Sequence, residues 1–273
     1  MKKKKTIWGN CLVRNEEQWV WYALMSVIDH VDKILVWDNG STDKTVEIIK
    51  TIKNPKIIFK EIGPSTIEEH PIVRQKMIEA TKADWLLHID GDEVWPKSQI
   101  KKWAEIIQKK GDEIELIALR TINLVGDVYH YQEEAAGRYQ LAGRKGHLTL
   151  RGINLKKIPG LHAARPHGKV GFFDENGVAI QDRDPKKIHF TDLYYFHMTH
   201  LPRSSQDDEV PLRKRKRKYE IGIPLPKEIE YPEVFSLKRP KIVPSPWLKM
   251  SRGEWVRGVV QTPLKKIRRQ ILR

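Results

Sequence analysis

The stretch "DWLLHIDGDEVW", residues 84–95, begins as an apolar run and ends in acids. Trp85, Leu86, Leu87 and Ile89 predict a buried strand, and three carboxylates follow it within four residues. Carboxylates repel one another and are poor strand formers, so their position at the end of a core strand requires a reason. The stretch therefore indicates a site at the end of this strand.

Strands and helices alternate over the first 120 residues, on both sides of this stretch. The predicted strands are "TIWGNCLV", "KILVWD", "KIIFK", "DWLLHID" and "IELIALRT". Alternation of this length predicts an α/β fold with a mostly parallel central sheet and helices on both faces. Ser41 or Thr42 is expected to cap the helix after the second strand, and Asp43 is an alternative cap.

Beyond residue 121 the periodicity weakens into shorter predicted strands, of which "DLYYFHMTHL" is the last. We therefore predict one catalytic domain over residues 1–205. Residues 206–273 form a basic, Pro-rich extension that is expected to end in an amphipathic helix. Thr262 would cap that helix, and Pro263 would occupy its first position.

The positive charge is concentrated in the C-terminal part of the chain. The net charge is +15, and residues 201–273 hold 19 Lys and Arg against 8 Asp and Glu. An acidic partner such as a membrane surface or a polyanion is expected at that end. The predicted last helix is basic and amphipathic, with Trp247 and Trp255 before it, which suits a membrane interface with anionic lipids.

The sequence predicts a cytoplasmic protein that sits at the inner face of the membrane through this helix. Cys11 is the single cysteine, so no intrachain disulfide is expected. The lysine-rich start resembles a signal peptide, but Gly9 and Asn10 interrupt its short apolar stretch. No apolar run approaches the roughly 20 residues that a membrane-spanning helix needs.

Polar residues follow three of the predicted strands: "VRNEE", "WDNGSTD" and "DGDE". Ligands of a parallel sheet bind outside the carboxyl ends of its strands, so these residues should open into one crevice. In order and spacing, "CLVRNEE", "ILVWDNGSTDKTVEI" and "ADWLLHIDGDEV" resemble family 2 glycosyltransferases of the GT-A fold. The resemblance is close over residues 6–120 and looser to about 205.

The resemblance implies a nucleotide-sugar donor and a divalent cation, Mn²⁺ or Mg²⁺. Two carboxylates one residue apart can hold a hard cation that bridges diphosphate oxygens. Asp92 is expected to bind the metal, and Asp90 to contact the metal or the ribose. Many such enzymes add a late histidine to the metal shell, and His197 is favoured over His200.

The resemblance also implies where the nucleotide binds. Asp38 matches the carboxylate that meets the nucleotide, and Asn39 belongs to the same turn. Arg14 and Asn15 lie in the loop after the first strand, where the family holds the base and ribose. Arg74 is expected to pair with the diphosphate.

An inverting enzyme needs a carboxylate that takes the proton of the acceptor hydroxyl. Glu133 is the predicted base, while Glu134, Asp127, Asp182 and Asp184 remain open alternatives.

Other histidines, His162 and His167, are lower-ranked candidates for acceptor contacts. The acceptor is expected to be a glycan or a lipid-linked molecule.

Two alternative functions come from other classes. The segment "RKRKRK" and the basic tail suit nucleic-acid binding. However, the sequence contains no recognised nucleic-acid-binding motif, and no nucleic acid is expected as a partner. A nucleotidyltransferase would need a Gly-rich loop after the first strand, where this chain has "GNCLVRNEE". Both alternatives are therefore less favoured than a glycosyltransferase.

Overall fold

The computed structural model of the protein describes residues 3–165, 171–210 and 213–271. These residues form fourteen strands, which are, in chain order, β1 (Ile7–Val13), β2 (Lys33–Asp38), β3 (Ile57–Glu61), β4 (Trp85–Ile89), β5 (Glu93–Val94), β6 (Leu116–Asn123), β7 (His130–Tyr131), β8 (Tyr139–Leu141), β9 (Arg144–Gly146), β10 (Leu148–Asn154), β11 (His162–Ala164), β12 (Gly171–Phe173), β13 (Ile188–His197) and β14 (Ile223–Pro224). They also form six α-helices: α1 (Val20–Val27), α2 (Thr45–Lys50), α3 (His70–Ala80), α4 (Lys97–Lys110), α5 (Arg213–Lys216) and α6 (Arg252–Ile271).

Eight strands make one central sheet in the order β3-β2-β1-β4-β10-β6-β13-β5. Neighbours among β3, β2, β1 and β4 are parallel, and β6 is parallel to β13. Only β10 and β5 run against their neighbours. The predicted α/β class with a mostly parallel central sheet is therefore confirmed.

Helices cover both faces of this sheet. Because side chains alternate along a strand, Cys11 and Val13 of β1 join the main core, to which α1, α2 and α4 also contribute. Leu12 points to the other face, where Met77 of α3 and Trp37 of β2 pack against it. Burial on both faces explains why the strands read as continuous apolar runs.

The turn after β4 places the acidic residues under the end of β13. Residues 90–92 turn into β5, which pairs antiparallel with β13 so that Glu93 lies opposite His197. In addition, Met198 N donates to Asp92 O at 2.9 Å. This pairing, which the sequence did not indicate, brings the end of β13 to the acidic turn.

Neither Ser41 nor Thr42 caps the helix after β2: Lys44 holds the N-cap position without a side-chain cap, and Asp43 accepts from the first N–H of the helix. The helix begins at Thr45, whose N–H donates to Asp43 Oδ1 at 2.9 Å. The prediction of a Ser41 or Thr42 cap was wrong, because those residues belong to the turn that precedes the helix.

The chain after residue 217 lies across the body of the protein as irregular segments before it forms α6. Val234, Phe235 and Val243 join the main core, and the Phe235 ring packs edge-on against Tyr22 of α1 at 5.5 Å. The predicted division between residues 1–205 and 206–273 stays a prediction.

The last helix is longer than predicted, since it begins at Arg252 and contains Pro263. Thr262 does not cap it: its hydroxyl donates to Gly258 O (2.6 Å) and accepts from Ile221 N (2.8 Å). The latter bond satisfies a backbone N–H of the preceding segment, so Thr262 fastens α6 to the body.

Candidate functional site

The ends of β2, β1 and β4 lie side by side, as the strand order requires. Val13 is in register with Asp38, and Cys11 with Ile89. The residues that follow these strands therefore surround one space, which we call the strand-end crevice.

Asp38 directs its carboxylate into its own turn. The oxygens accept from Gly40 N (3.1 Å), Ser41 N (3.0 Å) and the Ser41 hydroxyl. Gly40 is required there because its φ is +74° and a Cβ would lie 2.7 Å from Pro64 N. Asp38 thus shapes the wall of the crevice.

Two asparagines connect this wall to its neighbours. Asn15, buried with φ +53°, accepts from Thr42 N through Oδ1 at 2.8 Å. Asn39 Oδ1 accepts from Ser65 N at 2.8 Å. Both amides are engaged by backbone, so they fix the shape of the crevice.

Asp90 lies between two arginines. Arg74 Nη2 of α3 lies 3.2 Å from Oδ1, and Arg151 Nη2 lies 3.2 Å from Oδ2. Arg151 sits at a break in the β10–β6 register, a bulge that re-aims its side chain. Burial raises the pKa of Asp90, but His88, Arg151 and Arg74 outweigh it and hold that pKa well below its usual range.

Asp92 faces His197 with an oxygen that has no hydrogen bond. Its side chain is 1% exposed, and Oδ2 lies 3.5 Å from His197 Nε2. Arg203 Nη1 is 3.0 Å from the same oxygen, yet no N–H aligns with it. Burial raises the pKa of Asp92, but Arg203 and His197 outweigh it and lower that pKa, so the carboxylate is charged.

A chain of hydrogen bonds assigns the protons of His197. His147 Nε2 lies 3.0 Å from Glu133 O, which only accepts, so the proton of His147 is on Nε2. Its Nδ1 then accepts from the Asn123 amide at 2.8 Å, and Asn123 Oδ1 accepts from His197 Nδ1 at 3.2 Å. His197 therefore carries a proton on Nδ1, and its Nε2 faces Asp92 Oδ2.

Asp92 Oδ2 and His197 Nε2 face each other in a buried site, and both are atom types that can bind a shared cation. Adjacent ligands of an octahedral ion at about 2.1 Å lie about 3.0 Å apart, close to the 3.5 Å between Asp92 Oδ2 and His197 Nε2. Asp90 is turned to its arginines, and within the described residues no group of three or more His, Cys, Asp or Glu gathers around a metal position. The described residues thus offer a cation two ligand atoms, Asp92 Oδ2 and His197 Nε2.

His200 lies apart from this pair. Its Nδ1 is 2.7 Å from Lys216 O, and burial together with Lys218 lowers its pKa to about 3. Of the two histidines that the sequence left open, His197 is the one beside Asp92.

Two arginines at the crevice also have unpaired N–H groups. Arg14 Nε and Arg74 Nε are buried and lack a hydrogen-bond partner in the described part of the chain. Buried polar groups are rarely left unpaired. These two N–H groups and the Asp92 carboxylate, with which Arg203 also forms an ion pair, are the complement of an anion that carries a cation.

A cleft of about 880 Å³ continues from this pair toward the C-terminal helix. Thr121 and Asn123 of β6, Arg151 of β10 and His197 of β13 line one end. Residues of α6 line the other end, so the tail completes the cleft. We call it the basic cleft because nine Lys and Arg side chains line it.

The carboxylates that were considered as bases do not line this cleft. Glu133 Oε1 accepts from Arg269 Nη1 at 2.8 Å. Asp127 accepts from His130 Nδ1 (2.7 Å), Asp184 accepts from Lys186 N (2.9 Å), and Asp182 is exposed.

Glu134 lies beside Arg120 at 3.5 Å. Among the lower-ranked histidines, His162 lies next to Gly160 O at 3.0 Å, while His167 is outside the described residues.

The sequence matches the family described as Glycosyl transferase family 2 over residues 12–174, more than half of the chain. The chain belongs to glycosyl transferase family 2. The predicted family and enzyme class are confirmed by this match.

Curated relatives of this glycosyltransferase are similar over part of their length. An uncharacterised glycosyltransferase of Rickettsia typhi is 35% identical over 121 residues, 43% of this chain and 33% of the relative. The SPbeta prophage-derived glycosyltransferase SunS of Bacillus subtilis is 33% identical over 102 residues, 37% of this chain and 23% of SunS. The chain therefore spans a third or less of these relatives.

Solved structures resemble this glycosyltransferase at low identity. TarS of S. aureus in complex with UDP-GlcNAc has a TM-score of 0.48 and 12% identity, over 71% of this chain and 58% of TarS. Glucosyl-3-phosphoglycerate synthase of Mycobacterium tuberculosis, with Mn²⁺, UDP-Glc and phosphoglyceric acid, has a TM-score of 0.46 and 20% identity, over 77% and 76%.

Sequence reasoning about this glycosyltransferase missed three arginines. Arg203 donates to both oxygens of buried Glu16, and Arg213 Nη2 donates to Glu16 Oε1 at 2.7 Å. These pairs bind the segment after β13 across the end of β1. Arg151 is the third. All three lie far in sequence from their partners, and no motif marks them.

No helix in the described ranges is both long enough and apolar enough to cross a membrane.

Proposed function

We propose that the chain transfers a sugar from a nucleoside-diphosphate donor to a glycan or lipid-linked acceptor with the help of Mn²⁺ or Mg²⁺, and that it inverts the anomeric centre. The observation that carries this proposal is the buried Asp92 Oδ2, which has no hydrogen bond within the described residues and lies 3.5 Å from His197 Nε2. The bound cation would neutralise the charge that develops on the departing nucleoside diphosphate.

Asp92 and His197 would hold the metal, and the other positions of its shell would be left for diphosphate oxygens and water. Arg74 and Arg14 would donate their unpaired Nε–H groups to the nucleotide, because each is buried at the crevice without a partner. Asp90 would hold Arg74 in place through its ion pair and contact the ribose or a metal-bound water.

The rest of the nucleotide site would be the crevice wall made by Asn15, Asp38 and Asn39. The side chains of all three bond to backbone within the wall, so they support the surface that meets the base and ribose.

Glu133 stays the proposed base for the acceptor hydroxyl. Its carboxylate is engaged by Arg269, so it would act only after this pair opens. We expect Glu133→Gln to lower the turnover number at saturating acceptor if Glu133 is the base. An effect on acceptor affinity alone would instead assign Glu133 to the support of Arg269.

We further propose that α6 lies on an anionic membrane surface. Seven of its apolar side chains are 43% to 77% exposed: Trp255, Val256, Val259, Val260, Leu264, Ile267 and Ile271. Gly258 and Thr262 on the opposite side are buried against the body. The exposed Arg252 and Arg257 lie near the apolar side chains and would meet lipid phosphates.

Vesicle sedimentation tests this surface. We expect the double variant Val260→Ser and Leu264→Ser to lose binding to vesicles that contain phosphatidylglycerol. The control is Val178→Ser, an exposed valine outside α6. Equal binding by all three proteins would reject the membrane role of α6.

The donor site is tested by calorimetric titration with UDP, GDP, CDP and dTDP, each with Mn²⁺ and with EDTA. We expect one nucleotide to bind in a metal-dependent way, and Asp92→Asn to abolish that dependence. Asp182→Asn removes an exposed carboxylate and is the matched control. Folded protein that binds none of the four would contradict the proposed function.

A further inference from the structure

The basic cleft has a charge pattern that the donor site does not explain. Its lining contains nine Lys and Arg side chains and, within the described residues, no Asp or Glu. The cations at the α6 end are Arg138, Lys216, Lys218, Lys265, Arg268 and Arg269. Surface cations are normally interspersed with acids, so a cleft lined by cations alone indicates an anionic ligand.

Carboxylates behind the lining neutralise only some of these cations. Arg74 and Arg151 are paired with Asp90, and Arg269 is paired with Glu220 and Glu133.

No ion pair in the described residues involves the side chains of Arg138, Lys216, Lys218, Lys265 or Arg268. Their charge is therefore available to a ligand in the cleft.

Three of the cations are held close together. With its amide oxygen turned toward them, Gln132 accepts from Lys218 Nζ at 3.0 Å and from Arg269 Nη2 at 3.1 Å. Lys265 Nζ donates to Tyr219 O at 2.9 Å, beside Glu220. Their repulsion is an unfavourable contribution to the unliganded protein, which a bound anion would remove.

The electrostatic environment of the two lysines agrees with this geometry. Burial lowers the pKa of Lys218, and Arg269, Lys265 and Arg138 lower it further against the attraction of Glu220. Burial also lowers the pKa of Lys265, with a contribution from Arg269.

The cation cluster and the proposed reaction centre occupy two ends of one cleft. His197, beside Asp92, lines the near end, and Lys218, Lys265 and Arg268 line the end formed by the tail. Arg14 and Asp38 at the nucleotide wall do not line the cleft. Arg74, which is proposed to meet the nucleotide, does line it, so a molecule in the cleft would reach the reaction centre beside the nucleotide.

We propose that the basic cleft binds an acceptor that carries a phosphate group, with its phosphate at Lys218, Lys265 and Arg268. Phosphate fits better than a single carboxylate, because it offers more oxygens to the several ammonium and guanidinium donors. This inference rests on the proposed function, since it names the acceptor class of the same site.

Calorimetric titration of the full chain with inorganic phosphate and with glycerol 1-phosphate tests the site. We expect saturable binding that Lys265→Gln weakens about tenfold, as for the loss of one charge-assisted hydrogen bond. Lys266→Gln is the matched control, because this exposed neighbour on α6 is not part of the lining. No saturable binding, or equal losses in both variants, would overturn the proposal.

The same titration with saturating Mn²⁺ and nucleoside diphosphate separates acceptor from donor. We expect phosphate to bind with unchanged affinity. Competition between the two ligands would assign the cations to the donor diphosphate and overturn the inference. Phosphate binding that depends on Lys265, in protein that binds no nucleotide, would keep the anion site and reject the proposed function.

Vesicles of phosphatidylcholine with and without phosphatidylglycerol separate two sources of the phosphate. Vesicle binding that Lys265→Gln weakens more than Lys266→Gln would identify a lipid headgroup. If Lys265→Gln weakens the binding of glycerol 1-phosphate but not the binding of vesicles, the acceptor is a soluble molecule. Both results support a phosphate-binding cleft, and independence from Lys265 in both assays would reject it.

Discussion

The strand-end crevice and the basic cleft differ in how their charges are compensated. In the crevice, Asp90 lies between Arg74 and Arg151, and Glu16 lies between Arg203 and Arg213. In the cleft, most cations have no acidic partner among the described residues. The paired charges therefore hold the crevice in shape, whereas the unpaired charges are available for binding. Four substitutions test this contrast.

The largest effect is expected for Asp92→Asn. An amide is a poor ligand for a hard cation, so metal-assisted departure of the nucleotide would be lost. We expect a fall of about 10³-fold in turnover, measured as release of nucleoside diphosphate from the donor. Circular dichroism should be unchanged. A folded variant with wild-type turnover would remove Asp92 from the reaction.

The next effect concerns stability in the crevice. Glu16→Gln leaves Arg203 and Arg213 buried with less compensation, which we expect to lower the free energy of unfolding by about 3–5 kcal/mol. Urea denaturation measures it. Glu17→Gln, at the neighbouring and less buried carboxylate, should cost less than about 1 kcal/mol. Equal values for the two variants would show that buried pairing is not what stabilises the crevice.

A smaller effect depends on pH. Burial and Lys218 lower the pKa of His200 from 6.5 to about 3. Below pH 6.5 the unfolded chain binds a proton that the folded chain rejects, so stability falls as the pH falls toward 3.

Between pH 6.5 and 4.5, the free energy of unfolding should fall by about 2 kcal/mol more in the wild type than in His200→Asn. Denaturation of both proteins at each pH measures this difference. Parallel curves for the wild type and the variant would mean that His200 titrates normally.

The smallest effect is expected in the basic cleft. Lys218→Gln removes a cation from a like-charged cluster, so the free energy of unfolding should change by less than about 0.5 kcal/mol or rise. A loss above about 1 kcal/mol would mean that the cluster holds the fold together, as the paired charges of the crevice do.

The parallel strands and the crevice at their ends could be predicted because they depend on short segments. "DWLLHID" and "KILVWD" are apolar runs that end in acids, and parallel strands present such ends at one edge. The position of Asp92 at this edge follows from the sequence alone. The sequence alone does not show that Asp90 pairs with arginines, because Arg151 reaches it through a bulge in β10.

The cleft could not be predicted because it is assembled from distant segments. Lys218 and Lys265 meet only after the tail folds back and Thr262 fastens α6 to the body. The sequence shows that the tail is basic, but not that one side of α6 completes a cleft. The start predicted for that helix was too late, because Pro263 usually marks a first turn and here lies within the helix.

The assignment of the metal to Asp92 and His197 is tested most directly by calorimetric titration of Mn²⁺ into the complex of the protein with its preferred nucleoside diphosphate. The comparison is between wild type, His197→Gln and His200→Gln. We predict that His197→Gln weakens Mn²⁺ binding at least about tenfold, while His200→Gln leaves it unchanged. Equal Mn²⁺ affinity in all three proteins would contradict the assignment of the metal to Asp92 and His197.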